Sequence, residues 1–239
     1  MGRMELTRQN EEFERLVEEL CDLDQLEVYK RPYDDYRPSF LPRLFGGFLV
    51  SCGNLVYGRE PSYLKFRAVE VIARVPYHSW SSAAFTLLTL GYTDEQRALN
   101  LSTISNFSRL AADNETMHVI VISCLARRET RAGFFRYTLI PMLFAFFYFW
   151  VSYILYLIKP RWSLELNYLF EGHAFTQYTR FLETHGDELR GKAVLSEYLD
   201  WYGREPRSQY EFFCSVRNDE LIHRNRSIRE IELHARESA

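Results

Sequence analysis

At 239 residues the chain fits one large domain or two small ones. A formal net charge of −3 without a long basic stripe argues against a nucleic-acid partner. The four cysteines (Cys21, Cys52, Cys124, Cys214) form no CxxC pair, which speaks against a disulfide framework or a cysteine zinc site. Aromatic residues make up 16% of the chain while 11 Gly and 8 Pro leave turn signals sparse, so long helices are expected over many short strands. The opening MELTRQNEEFERLVEELCDLDQ is acidic, unlike basic secretory and transit segments, and suggests a bacterial protein or one whose leader has been removed.

In chain order, residues 8–27 read as an amphipathic helix with Phe13, Leu16, Val17 and Leu20 on one face. The connector YKRPYDDYRPSF follows, then the apolar, Gly-containing LPRLFGGFLVSCGNLVYG (41–58), short and broken for a membrane span. From Ser62 to about Leu90 the pattern is helical. GYTDEQR supplies a stop and a restart with Thr93 as the expected N-cap, and a long helix should run to about Arg127. Residues 137–158, YTLIPMLFAFFYFWVSYILYLI, are 22 residues without a charge, nine of them aromatic, with arginines before and Lys159 and Arg161 after. Two further helices are expected over roughly 162–186 and 206–235.

The chemistry lies in two repeats of one spacing. In DNETMHVIVISC, Glu115 and His118 stand at i and i+3 before an apolar run; in RNDELIHRN, Glu220 and His223 do the same. At about 100° per residue each pair shares a helix face, and such groups turned inward need partners. On spacing alone, two solvated helix pairs explain them as well. Two more acids narrow the choice: Glu70 in RAVEVIARVPY and Glu171 in LNYLFEGHAF lie on apolar faces without a base at i±3 or i±4. The intervals from 70 to 115, 115 to 171 and 171 to 220 each suit one antiparallel return between long helices. One Glu from each of two helices plus Glu-x-x-His from each of two others is the ligand set of ferritin-like di-iron bundles. Four carboxylates offset most of the charge of two iron ions, and N/O ligation suits iron or manganese. Asn114 and Asp219, one residue before each ExxH glutamate, are either hydrogen-bonding groups behind the histidines or surface polars.

With these residues assembled, the chain resembles the alternative oxidase family, and its plastid terminal oxidase branch in particular. NETMH resembles the family's N-E-x-M-H helix, and RNDELIH its R-x-D-E-x-x-H element, with Arg217, Asp219, Glu220 and His223 in place. IARVPY after Glu70 and EGHAFTQYTRFL look closer to the plastid branch; the mitochondrial one carries three glutamates where this chain has Glu171, Gly172 and His173. The resemblance covers about residues 60–225. It implies a membrane-bound quinol oxidase that oxidises ubiquinol or plastoquinol and reduces O2 to water without proton pumping, at two iron ions held by Glu70, Glu115, His118, Glu171, Glu220 and His223. It makes Tyr178, seven residues after Glu171 and so two turns along the same face, a redox participant; core packing is the ordinary role of a lone tyrosine. It places the quinol in an apolar slot at Lys65, Val69, His173, Ala174 and Gln177. Lys65 stands where an arginine is usual, and lacks that residue's planar fork. His173 is either a proton acceptor for the quinol hydroxyl or a structural histidine.

Residues 137–158 are long and apolar enough to cross a bilayer. A span would separate the helices before and after it, whereas a shared metal site needs them side by side. The expectation is therefore a helix lying in one leaflet, with residues 41–58 dipping in beside it and the arginines at 127–136 near the phosphates. The fold expected is all-α: a ferritin-like four-helix bundle with additional monotopic membrane-associating helices. Residues 1–58 form an N-terminal and membrane-associating part and 59–239 the bundle, in a bacterial inner or thylakoid-type membrane, with membrane lipid and a homodimer as partners. The competing readings are a di-iron hydroxylase acting on a quinone or lipid, and a non-catalytic ferritin-like membrane protein. No GxSxG elbow or phosphate-binding Gly-rich loop is present.

Overall fold

The computed structural model describes residues 8–129 and 131–237, and every regular element among them is helical. The first helical stretch is two helices rather than one: α1 (Arg8–Glu19) and α2 (Leu23–Lys30). Asp22 breaks it by capping α2, its Oδ1 accepting from the amides of Asp24 at 2.9 Å and Gln25 at 3.1 Å. Phe13, Val17 and Leu20 of the expected face pack with Leu26 onto Leu221 and Ile222.

Helix α3 (Phe40–Tyr57) is continuous despite its glycines. A Cβ at Gly46 would meet Leu169 Cδ1 at 3.2 Å, so the glycine admits close approach to the helix beneath. The expected helix 62–90 is divided at Arg74 into α4 (Tyr63–Ala73) and α5 (Val75–Gly91). The cause is Pro76, which has no N–H to donate and whose ring crowds the carbonyl one turn back. The N-cap of α6 (Glu95–Glu129) is Asp94 rather than Thr93: its Oδ1 accepts from the Arg97 amide at 3.1 Å. After a π-helical turn over Phe135–Leu139 come α7 (Ile140–Ile158), α8 (Pro160–Arg190), the short α9 (Glu197–Tyr202) and α10 (Gln209–Glu237).

Four helical rods make the bundle, one of them the pair α4 and α5. The kinked α4–α5 runs antiparallel to α6, and α8 antiparallel to α10. Between them lies one aromatic cluster in which Phe66 stacks on Tyr178 at 4.1 Å and meets Phe181 edge-on at 5.2 Å. A second gathers Tyr77, Trp80, Ile104, Tyr156 and Leu164. Each such buried large side chain stabilises the fold by about 1.5–3 kcal/mol. Helices α1 and α2 lie against α10, where Asn218 Nδ2 donates to the Val17 carbonyl at 3.0 Å and Asn225 Nδ2 to that of Tyr29 at 2.7 Å.

Helix α7 lies along the bundle instead of leaving it. Tyr148, Ser152 and Tyr156 face inward, and Ser152 Oγ meets Ser79 Oγ at 2.7 Å. Its other face presents Phe146, Phe147, Trp150 and Ile154 to the surroundings, each at least half exposed. Phe40, Phe48 and Leu55 of α3 are likewise bare. Phe40–Tyr57 and Phe135–Ile158 are both long and apolar enough to cross a membrane, and so extended an apolar surface marks a lipid or protein contact.

Candidate metal centre

Each bundle helix contributes to one buried cluster. Glu70 comes from α4, Glu115 and His118 from α6, Glu171 from α8, and Glu220 and His223 from α10; all six are at most 2% exposed. His118 Nδ1 stands 3.5 Å from one oxygen each of Glu70, Glu115 and Glu220. Ligand-type atoms of Glu70, Glu115, His118 and Glu220 all lie within 4.8 Å of one another, and so do those of Glu115, Glu171, Glu220 and His223. The two sets share Glu115 and Glu220. Each set offers three carboxylates and one imidazole, and the shared pair sits where a carboxylate would bridge two cations.

The polar atoms of this cluster are short of partners. Glu70 Oε2, Glu115 Oε2, His118 Nδ1, both oxygens of Glu220 and His223 Nε2 are buried without a hydrogen bond. Orphaned buried polar atoms are costly, and six aimed at one centre fit a pair of metal ions. Ionisation says the same. Burial, reinforced by the charge on Glu115, pushes Glu70 up to about 7. Burial and the neighbouring carboxylates also raise Glu171, and Glu220 well above the usual range. For Glu115 the same burial penalty is overridden by His118 and His223, which hold its carboxyl low. Bound cations would displace the protons that balance this charge.

The atoms that point away from the centre are tied down. His118 Nε2 lies 2.8 Å from Asp219 Oδ2, and Asp219 also accepts from Arg204 Nη1 at 2.6 Å, Arg204 Nη2 at 3.1 Å and Asn114 Nδ2 at 3.2 Å. A carboxylate so held accepts a proton-bearing Nε2 and leaves the Nδ1 lone pair free for a metal. Arg204 is held in turn by Glu14 of α1, at 2.9 and 2.7 Å. On the other side Glu115 Oε1 meets His223 Nδ1 at 2.9 Å, leaving Nε2 free.

The alternative oxidase family profile matches residues 57–229, well over half the chain. The chain belongs to the alternative oxidase family. It is similar to Ubiquinol oxidase 4, chloroplastic/chromoplastic, of Arabidopsis thaliana, at 24% identity over 185 residues, 69% of this chain and 50% of that protein. The chain thus spans about half the length of that relative. No solved structure matches it.

In this alternative oxidase family member the two tyrosines beside the carboxylates are crossed. Tyr178, on the helix of Glu171, donates to Glu70 Oε1. Tyr77, on the α4–α5 arm of Glu70, donates to Glu171 Oε1 at 2.6 Å and accepts from Asn167 Nδ2 at 2.9 Å. Tyr77, Asn167, Arg204 and Glu14 are absent from the sequence-based set. A signal existed for Tyr77: it follows Glu70 by seven residues, as Tyr178 follows Glu171.

An apolar slot of about 210 Å³ runs between α3, α4, α7 and α8 to this centre. Glu70, Glu171 and Tyr178 form its inner end, and all five expected slot residues, Lys65, Val69, His173, Ala174 and Gln177, line it. Burial and the charge of Lys65 lower His173 below its ordinary value, so the ring is neutral and can accept a hydrogen bond. The outer wall comes from the two apolar helices, through Val50 and Val56 of α3 and Ile140 and Phe144 of α7.

Proposed function

We propose that this protein is a membrane-bound quinol:oxygen oxidoreductase, oxidising ubiquinol or plastoquinol at a non-haem di-iron carboxylate centre. The observation that carries the reading is the junction of slot and cluster: an apolar passage walled by two exposed apolar helices ends on buried carboxylates that have two overlapping ligand sets. Glu70, Glu115, His118 and Glu220 would hold one iron, and Glu115, Glu171, Glu220 and His223 the other. The iron pair, when bound, supplies the redox chemistry by which two quinols give four electrons and four protons to O2 and two waters form, without charge transfer across the membrane.

The chain's own residues do the rest. Val69 and Ala174 exclude water from the slot, which suits a lipid-soluble ring, while His173 and Gln177 offer polar contacts to its oxygens. Tyr178, between slot and Glu70, is placed to relay a proton or an electron across the last contact. The faces of α3 and α7 lie in one leaflet and bring the slot mouth to where long-tailed quinols dissolve. Residues 59–239 supply the bundle, and 1–58 supply α3 together with the brace of α1 and α2.

Metal analysis of purified protein with oxygen uptake on a short-chain quinol tests the proposal. About two irons per chain and two quinols consumed per O2, with no hydroxylated product, are expected. Oxygen incorporation into the quinone ring would assign a hydroxylase, and an inert preparation loaded with iron would refute both.

A further inference from the structure

Two neighbouring residues of α1 reach the backs of both metal-site histidines. The ring of Phe13 lies along that of His223, with centroids 5.9 Å apart and planes at 25°, and Tyr77 closes on the same imidazole at 5.2 Å. Glu14 reaches His118 through two links. Its carboxylate accepts from Arg204 and, at 3.2 Å, from the Tyr202 hydroxyl. Arg204 donates to Asp219, the partner of His118 Nε2, and the Tyr202 oxygen accepts from Asn114 Nδ2 at 3.3 Å. Leu221 and Ile222, the two residues inside the α10 Glu-x-x-His, are buried in one apolar cluster with Phe13 and Val17. Yet α1 is not one of the four rods, and it precedes the residues that match the family profile. Glu14 is also where this buried network meets water, its side chain being 22% exposed.

We propose that α1 is a lock on the metal centre: its docking on α10 fixes His118 and His223 together, and bound iron is retained while α1 stays seated. Phe13 and Glu14 are positioning residues in this lock, and neither is a ligand. This rests on the di-iron reading and deepens it. For a dication to leave, an imidazole must swing off it. His223 has no room to swing while Phe13 and Tyr77 close on its ring, and His118 has none while Asp219 is held from behind. Lifting one helix removes the Phe13 wall and the Glu14 anchor in the same motion.

Linkage makes the test two-sided, because a seated α1 that strengthens iron binding is itself strengthened by bound iron, by the same factor. In the wild-type full chain, anaerobic loading with Fe(II) should slow amide hydrogen exchange across α1 about tenfold or more, with α3 unchanged as the reference. Full-length variants then read the release of Fe(II) to an excess of chelator. Phe13→Ala and Glu14→Gln should each speed it about tenfold. Val17→Ala, which has only packing to lose, should speed it at least about threefold. Leu164→Ala, a core change in the cluster of Trp80 and Tyr156, should lower Tm as they do yet alter release by less than about twofold. Release that simply follows Tm across the four variants, or an α1 whose exchange ignores iron or slows no more than that of α3, overturns the proposal. Should a variant fail to fold, the wild-type exchange decides. A wild-type protein that takes up no iron overturns the lock and the metal reading together. One that is locked in this way yet consumes no oxygen with quinol fails the oxidase reading alone.

Discussion

Asp219→Asn separates the work this carboxylate does for the fold from the work it does for the metal centre. Asp219 is fully buried and accepts two hydrogen bonds from Arg204, one from Asn114 and the Nε2 contact of His118. Asparagine keeps the shape but loses the charge, and its NH2 cannot accept from the guanidinium. Breaking a buried ion pair costs about 3–5 kcal/mol. Here Arg204 retains two bonds to Glu14, which holds the cost near the low end, about 3 kcal/mol. For a domain of this size that lowers Tm by about 6–12 °C. The second effect falls on His118, whose Nε2 loses the anion that fixes its tautomer; iron affinity should drop about 10- to 100-fold. Thermal unfolding of the metal-free protein reads the first effect, and competition with a chelator on folded protein at 25 °C the second. A lower Tm with unchanged iron retention would show that Asp219 only buttresses the bundle, and the account of His118 orientation would fall.

Stripped of metal, the protein should lose stability as pH rises. Glu70 has a folded value of about 7, above its unfolded value of 4.5, so its contribution is full below about pH 4.5 and lost through pH 7. That amounts to about 3 kcal/mol; Glu115, held low, is ionised in both states above pH 5 and adds no slope. Tm of the apo protein should therefore fall between pH 5 and pH 7.5 and recover on adding Fe(II); a flat profile would contradict the buried-carboxylate picture. Tyr178→Phe retains the stack on Phe66 but not the bond to Glu70. Oxygen uptake should fall at least about a hundredfold, the lower end of the range for a group that moves a proton, with iron content unchanged on elemental analysis. Replacing both Phe147 and Trp150 by Glu puts two charges on the exposed face of α7, and liposome co-sedimentation should be lost while soluble protein keeps its iron.

How far the sequence reaches depends on distance along the chain. The two Glu-x-x-His pairs and the unpaired acids Glu70 and Glu171 are visible because each obeys a local rule, one helix face at a time, and the structure brings all six into one cluster. Sharing is not local: that Glu115 and Glu220 belong to both ligand sets depends on how four helices pack. Arg204 and Glu14 lie on opposite sides of 190 residues of chain, and no spacing rule connects them. Two of the departures from the expected helix bounds have local signals in the sequence. Pro76 is an ordinary helix-breaking signal inside the stretch read as one helix, and Asp94 caps at least as well as Thr93. The apolar run at 137–158 shows the limit of composition, since the same residues suit a span or a helix laid along the bundle. Composition does not reveal that Tyr148, Ser152 and Tyr156 turn inward against the bundle.

The crossing of Tyr77 and Tyr178 has a mechanical consequence. Each tyrosine rides on the arm that carries one glutamate and grips the glutamate of the opposite arm, so the two arms are latched in both directions. Sliding one past the other by a single turn, about 5.4 Å, would release both grips together. The separation of Glu70 and Glu171, one from each ligand set, is thus gauged by the polypeptide, and a pair of cations arriving there would meet a jaw already set to width.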